Sequence, residues 1–260
     1  MINYSFTVYE LEYFLLILVR VSCFVYICPF FSMKNTPNRV RIALSVFISM
    51  LMYQSLAPGG GPMTDSVVGY AIIVMKEAIA GLLIGLSANL CTSVFTLAGS
   101  IADMETGLSM VQLMDPSTRE QISITGGLYN YAYSMILIAS GMYRYLLGAL
   151  ADTYKLIPVN GVNFNAEGLM QTVLMFLSDY ILIGFRIILP IFASMMMLNA
   201  ILGVMAKVSP QMNMFAVGIQ LKVLTGLTIL FLTVGLMPKA CDLIFAEMKK
   251  LMVSFVSNMM

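Results

Sequence analysis

The chain has 260 residues, of which 60% are hydrophobic and only 10% are charged. A soluble domain of this size carries about 25% charged residues, so the composition excludes an ordinary water-soluble protein. The net charge of +1 gives no basic surface for nucleic acid, and the absence of histidine removes the commonest general base and a frequent metal ligand.

Apolar runs predict about six hydrophobic helical segments. They cover residues 11–31, 40–57, 67–101, 128–150, 169–206 and 215–237. Lipid leaves no partner for free backbone groups, so the predicted fold class is all-α, a polytopic membrane protein with a single helical domain over residues 1–260. The fifth run is far longer than the ~20 residues that one crossing needs, so it should be kinked, split near Gly184 or Pro190, or extended beyond the bilayer.

Charged residues interrupt these runs, which is costly in lipid. A charge at the bilayer centre costs about 2.5–3.5 kcal/mol. The residues concerned are Arg20, Lys76, Glu77, Arg144, Asp179, Arg186 and Lys222. We therefore expect these charges to face protein or water, or to pair with one another, so that the helices do not face lipid on all sides.

Small and polar residues recur at every fourth position of the third run. They are Glu77, Gly81, Gly85 and Asn89. A G-x-x-x-G pair lets two helix backbones approach closely, either within the chain or between subunits. Because Glu77 and Asn89 extend the stripe and need partners, we predict a subunit-packing surface.

The last run repeats this spacing at Gly218, Lys222 and Gly226. A lysine in this setting either extends its ammonium group towards water or pairs with a carboxylate, for which Glu77 and Asp179 are candidates. We predict that Lys222 is buried against a carboxylate. Beyond Lys239, the apolar residues Ile244, Met248, Leu251 and Phe255 share one helix face, which predicts an interfacial amphipathic helix.

An apolar loop lies between turn signals in residues 99–121. Its apolar members are Leu108, Met110, Val111, Leu113 and Met114, and Gly107 and Asp115-Pro116 flank them. Such a loop needs a place to bury its side chains. It is either a linker on the membrane surface or a segment that fills a cavity or pore.

Motifs of catalysis are missing from the sequence, including H-E-x-x-H, G-x-S-x-G and the Walker A motif. We therefore predict no enzyme activity, no catalytic or metal site and no cofactor.

Two segments, residues 76–121 and 203–226, together resemble the FliR family of bacterial flagellar export proteins, called SctT in injectisomes. The first segment matches E-x-x-x-G-x-x-x-G, then A-G-x-x-x-D-x-x-x-G-L and the D-P loop. The second matches P-Q-x-N-x-F-x-x-G-x-x-x-K at Pro210, Gln211, Asn213, Phe215, Gly218 and Lys222. Met142, Lys207 and Gln220 depart from residues that are common in the family.

The resemblance implies a core subunit of the flagellar type III export gate in the cell inner membrane, at the flagellar basal body. Its fold would resemble a FliP fused to a FliQ, with long kinked helices and hairpins packed into a helical hetero-oligomer. Partners would be FliP-like, FliQ-like and FlhB-like subunits, and unfolded flagellar proteins would pass through the channel. The loop from Gly107 to Pro116 would help to close that channel.

A different class of protein is the alternative, namely an autonomous secondary transporter that uses its intramembrane charges. Such transporters usually show paired broken helices in two halves, and the sequence shows no such symmetry.

Overall fold

The structure is a computed structural model that describes residues 8–32, 36–56, 66–110, 113–114, 121–209, 211 and 213–260. Its helices are α1 Val8–Ile27, α2 Asn38–Ser55, α3 Val67–Thr106, α4 Ile124–Ala139, α5 Met142–Leu156, α6 Ala166–Val208, α7 Met214–Thr233 and α8 Met237–Ser257. Strands β1 Leu113–Met114 and β2 Gln121–Ile122 form a two-residue antiparallel ladder, and short 3-10 turns lie at Leu108–Met110 and Val234–Leu236. The predicted all-helical fold class is confirmed.

Three helical segments among the described residues are long and apolar enough to cross a membrane. They are Val67–Thr106, Ala166–Val208 and Ala216–Ser257, and α4 with α5 would add a fourth. Of the about six hydrophobic helical segments that the sequence predicts, three or four are therefore candidates for crossing a membrane. Helix α1 carries Glu10, Glu12 and Arg20 within 20 residues, and α2 begins with Arg39 and Arg41. These charges oppose insertion as simple spans.

The longest helices are not broken where the sequence suggested. Helix α3 runs through Lys76 and Glu77 without interruption. Helix α6 has 43 residues and runs through Gly184 and Pro190. Of the three alternatives, the continuous helix excludes a split at these residues and agrees with extension beyond the bilayer, because the helix is about twice as long as one crossing requires.

Helix α8 confirms the predicted amphipathic pattern but not its interfacial location. Ile244, Met248, Leu251 and Phe255 are each at most 3% exposed, because they pack inside the protein. Lys249 and Lys250 are exposed on the other side. The apolar face is thus covered by the chain itself rather than by a membrane surface.

The described chain forms two compact units. The first consists of Met1–Cys91, Gly141–Phe176 and Glu247–Met260, and the second of Thr92–Ser140 and Leu177–Ala246. Both are assembled from separate segments, so neither is a contiguous sequence domain. The single domain over residues 1–260 stays a prediction.

Each unit has its own core. In the first unit α1 packs against α2, and Leu16, Ile17 and Phe24 are fully buried. In the second unit an aromatic cluster fills the interior, with the Phe95 ring centre 5.2 Å from that of Tyr133 and the Tyr133 ring centre 5.7 Å from that of Phe245. These cores hold the helix ends that carry the polar residues described below.

Candidate functional site

A buried ion pair lies at the centre of the first unit. Nε of Arg20, on α1, donates to Oε2 of Glu77, on α3, at 2.5 Å. The two side chains are 1% and 0% exposed. Because an isolated buried charge is very unfavourable, each residue makes the other tolerable in an apolar interior.

Backbone groups from the end of α5 and the turn after it add hydrogen bonds to this ion pair. Nη1 of Arg20 donates to the carbonyl of Ile157 at 3.1 Å, and the backbone N–H of Asn160 donates to Oε1 of Glu77 at 3.1 Å. The guanidinium carbon of Arg20 also lies 4.3 Å from the centre of the Tyr154 ring. The pair therefore fixes three parts of the first unit to one another and serves a structural purpose.

The sequence places Arg20 and Glu77 in different apolar runs and does not show that they are partners. A signal was present, because they are opposite charges in two different apolar runs, and such charges need each other. Glu77 had been named as a candidate partner of Lys222, and its ion pair with Arg20 corrects that expectation. Lys222 is half-buried and makes no ion pair with any residue that the structure describes.

The two glycines that follow Glu77 pack against α1 of the same chain. A Cβ atom added at Gly81 would overlap with the backbone carbonyl of Arg20, and one at Gly85 would lie 3.0 Å from the carbonyl oxygen of Phe24. The geometry thus favours the intramolecular interpretation of G-x-x-x-G for these two positions. Asn89 is exposed, and its role in subunit packing stays a prediction.

The second predicted packing motif is only partly within the described residues. Gln211 and Asn213 are exposed, and Oδ1 of Asn213 accepts from the backbone N–H of Ala216 at 3.4 Å, which caps α7. Gly218 is buried. Pro210 and the side chain of Phe215 lie outside the described residues, so the use of this motif for subunit contacts stays a prediction.

A carboxylate clamp closes the base of the predicted plug loop in the second unit. Asp103, near the end of α3, is 3% exposed. Its carboxylate accepts from the Ser123 hydroxyl at 2.7 Å, from the Thr125 hydroxyl at 2.5 Å and from the Thr125 backbone N–H at 3.2 Å. A negative charge at a helix N-terminus is favourable, so Asp103 caps α4 while it joins α4 to α3.

Two glycines bring the same helix ends together. A Cβ atom added at Gly99 would overlap with the backbone of Gly126, so the two main chains are in direct contact. Ser123 Oγ also accepts from the Gly126 backbone N–H at 2.8 Å. The α3 and α4 ends of the loop are therefore held in a fixed position, which the motif A-G-x-x-x-D did not reveal by itself.

The plug residues themselves are described in part. Gly107 has φ +81, a left-handed conformation that glycine adopts without strain, and it ends α3. Leu108 is half-buried in the 3-10 turn Leu108–Met110. Val111, Asp115 and Pro116 lie outside the described residues, as do the side chains of Met110, Leu113 and Met114. The plug stays a prediction.

Replacement of Asp103 by alanine should loosen the loop base. It leaves the Thr125 N–H without its acceptor, and hydrogen bonds to a charged group contribute about 1.5–3 kcal/mol each. The Thr125 backbone amide hydrogen should then exchange with solvent at least about tenfold faster, because exchange follows the population of the open state. The exposed Asp242→Ala variant should exchange at the parental rate. Equal rates for the two variants would contradict the clamp.

Among the residues that the structure describes, no group of three or more Cys, Asp or Glu side chains could hold a metal ion. The first unit holds a buried ion pair and close helix contacts, and the second unit holds a clamped loop base. Each of these features positions helices or a loop.

Comparison with known proteins assigns the family. The model of bacterial export proteins, family 1, matches residues 11–248. The flagellar biosynthetic protein FliR of Bacillus subtilis (strain 168) is 27% identical over 212 residues, which cover 81% of each chain. FliR of Escherichia coli (strain K12) is 22% identical over 247 residues, 93% of this chain and 92% of the relative, and FliR of Aquifex aeolicus (strain VF5) is 27% identical over 244 residues, 92% of each. The chain therefore belongs to family 1 of the bacterial export proteins, and as a member of the FliR family it is a membrane protein of flagellar biosynthesis and export.

Proposed function

We propose that the chain is a core subunit of the flagellar type III export gate and that it helps to form and close the channel for unfolded flagellar proteins. The gate would lie in the cell inner membrane at the flagellar basal body. The observation that carries the proposal is the loop base, where the Asp103 carboxylate binds Ser123 and Thr125 and so fixes the helix ends on both sides of the apolar segment.

A fixed base is what a closing segment requires. If both helix ends moved freely, the apolar side chains of Leu108, Val111 and Leu113 could not be held across an opening. Close contact between Gly99 and Gly126 makes the base rigid, because two main chains in contact leave no side chain to rearrange. The segment between them can then close a path without movement of the helices.

Partner subunits would cover surfaces that the isolated chain leaves exposed. Long helix α6 presents Phe185, Leu189 and Met197, which are 49%, 60% and 67% exposed. Apolar side chains of this kind need lipid or protein around them. We propose that FliP-like, FliQ-like and FlhB-like subunits pack on part of this surface.

The buried ion pair disfavours the alternative function, a secondary transporter. Transporter charges must meet their substrate or protons, whereas Arg20 and Glu77 are at most 1% exposed and engage each other and backbone groups. The Arg20–Glu77 pair is thus committed to holding the fold.

Deletion of Ser109–Leu113 tests the channel-closing function. Cells that produce the gate with this deletion should take up small solutes or conduct ions that the intact gate excludes, while FliP-like and FliQ-like subunits still co-purify. A matched control deletes Gly59–Gly61, a segment between α2 and α3 that carries no apolar side chains. If cells with either deletion and cells with the intact gate are equally permeable while the gate assembles equally well, the channel-closing function is contradicted. The family membership would be unaffected.

A further inference from the structure

A groove in the second unit combines two cations with apolar walls. It is a cavity of about 220 Å³ between α4, α6 and the junction of α7 with α8. Its lining includes Tyr129, Arg186, Pro190, Leu236, Lys239 and Leu243. Neither the clamp at Asp103 nor the buried ion pair at Arg20 uses these residues.

The two cations of the groove lack a protein counterion. Arg186 and Lys239 are both exposed, and neither makes an ion pair with any residue that the structure describes. Two positive charges that line one cavity repel each other unless an anion lies between them. The groove is thus electrostatically complementary to an anionic group, which both side chains would bind through charge-assisted hydrogen bonds.

The uncharged stretches that border the groove place its cations at a membrane surface. In α6, residues 187–206 carry no charge between Arg186 and Lys207. At 1.5 Å per residue this stretch spans about 30 Å, the thickness of a hydrocarbon core. Residues 223–238 form a similar uncharged stretch that ends at Lys239. The two cations therefore lie together at the same end of two crossing segments.

The remaining lining is mostly apolar. Tyr129, which is 5% exposed, forms a buried part of the groove wall. Pro190 and Leu243 supply apolar surface beside the charges. Basic pockets between transmembrane helices bind acidic lipid headgroups in other membrane proteins.

We propose that this groove binds one anionic membrane phospholipid. Its phosphate lies between Arg186 and Lys239, and its acyl chains follow the apolar wall formed by Ile187, Pro190 and Leu236. An acidic segment of a partner protein would satisfy the two charges but would not use the uncharged stretches beside them. The proposal depends on the membrane location of the chain and is independent of its role in export.

Native mass spectrometry of the purified full-length chain tests the proposal. The protein is held in detergent micelles with equal amounts of phosphatidylglycerol and phosphatidylcholine, and the retained lipids are counted. Phosphatidylglycerol should be retained preferentially. One basic residue near a membrane surface contributes about fivefold in affinity for acidic lipid, so Arg186→Gln/Lys239→Gln should reduce phosphatidylglycerol retention about 30-fold.

Two further variants separate a specific site from a general effect of charge. The charge-conserving Arg186→Lys/Lys239→Arg variant should keep most of the retention. Lys207→Gln removes a charge from the far end of the same apolar stretch and should leave retention unchanged. Equal retention of the two lipids, or an equal loss in Lys207→Gln, would overturn the proposal. So would unchanged lipid retention together with lost co-purification of a partner subunit in the double variant, because the groove would then bind an acidic protein segment.

Discussion

Replacement of Glu77 by glutamine should destabilise the protein by about 3–5 kcal/mol, because Arg20 is left as a buried charge without a counterion. The ion pair is at most 1% exposed, so water cannot take over the lost interaction. Unfolding of the full-length chain in detergent micelles by increasing amounts of sodium dodecyl sulfate, followed by helical circular dichroism, measures the loss.

An exposed ion pair of the same unit provides the matched control. Nζ of Lys155 lies 2.8 Å from Oδ1 of Asp152, with side chains that are 73% and 63% exposed. Asp152→Asn should change stability by at most about 1 kcal/mol. The double variant Arg20→Met/Glu77→Leu should recover part of the loss, because a buried pair replaced by apolar side chains leaves no charge behind. If Glu77→Gln is as mild as Asp152→Asn, the buried ion pair does not exist as described.

Substitution of Gly81 by alanine should also destabilise the protein strongly. Its added Cβ would overlap with the carbonyl oxygen of Arg20 and lie 3.0 and 3.1 Å from the carbonyl carbon and Cα of that residue, and backbone atoms of a packed helix cannot move aside as a side chain can. Overpacking of this kind costs about 1–3 kcal/mol, and we expect the upper end of that range. Separation of α1 from α3 would in addition strain the Arg20–Glu77 pair.

The control for Gly81 is a glycine with free space around it. A Cβ added at Gly148, inside α5, would meet nothing within 4 Å. Gly148→Ala should therefore stabilise the protein by about 0.5–1 kcal/mol, since alanine loses less conformational entropy in a helix. The two glycine variants should shift the same unfolding midpoint in opposite directions. A stabilising Gly81→Ala would show that α1 does not touch α3 at this position.

Helical character could be predicted from the sequence because it follows from composition. Long apolar runs and few charges leave a membrane chain no alternative to helices, and the E-x-x-x-G-x-x-x-G pattern correctly indicated a close helix contact. The number of crossings could not be predicted in the same way. The sequence shows that α1 carries Glu10, Glu12 and Arg20, but it does not show that the arginine is buried against the rest of the protein.

The pairing of polar residues was hidden for a different reason. Arg20, Glu77 and Asn160 are far apart in the chain, and no local pattern states which carboxylate will meet which cation. The Asp103 clamp could not be predicted for the same reason. A single aspartate in an apolar run does not show that its carboxylate will accept hydrogen bonds from Ser123 and Thr125. The periodic spacing of apolar residues did predict which face of α8 is buried, as Ile244 and Phe255 show. It could not predict whether lipid or protein covers that face.

The sequence separation of these contacts also sets the order in which they can form during synthesis. Asp103 reaches Thr125 across only 22 positions, so the loop can be closed soon after α4 has been synthesised. Arg20 can form its ion pair only after Glu77, 57 positions later, has been synthesised, and its hydrogen bond to the carbonyl of Ile157 only after a further 80 positions, at a separation of 137. The backbone of Asn163 finally bonds to Met259, at the far end of the chain. Because synthesis proceeds from the N-terminus, the growing chain carries an unpaired arginine in α1 until about the first third of the chain has been synthesised, and its first unit is complete only when the last residues arrive.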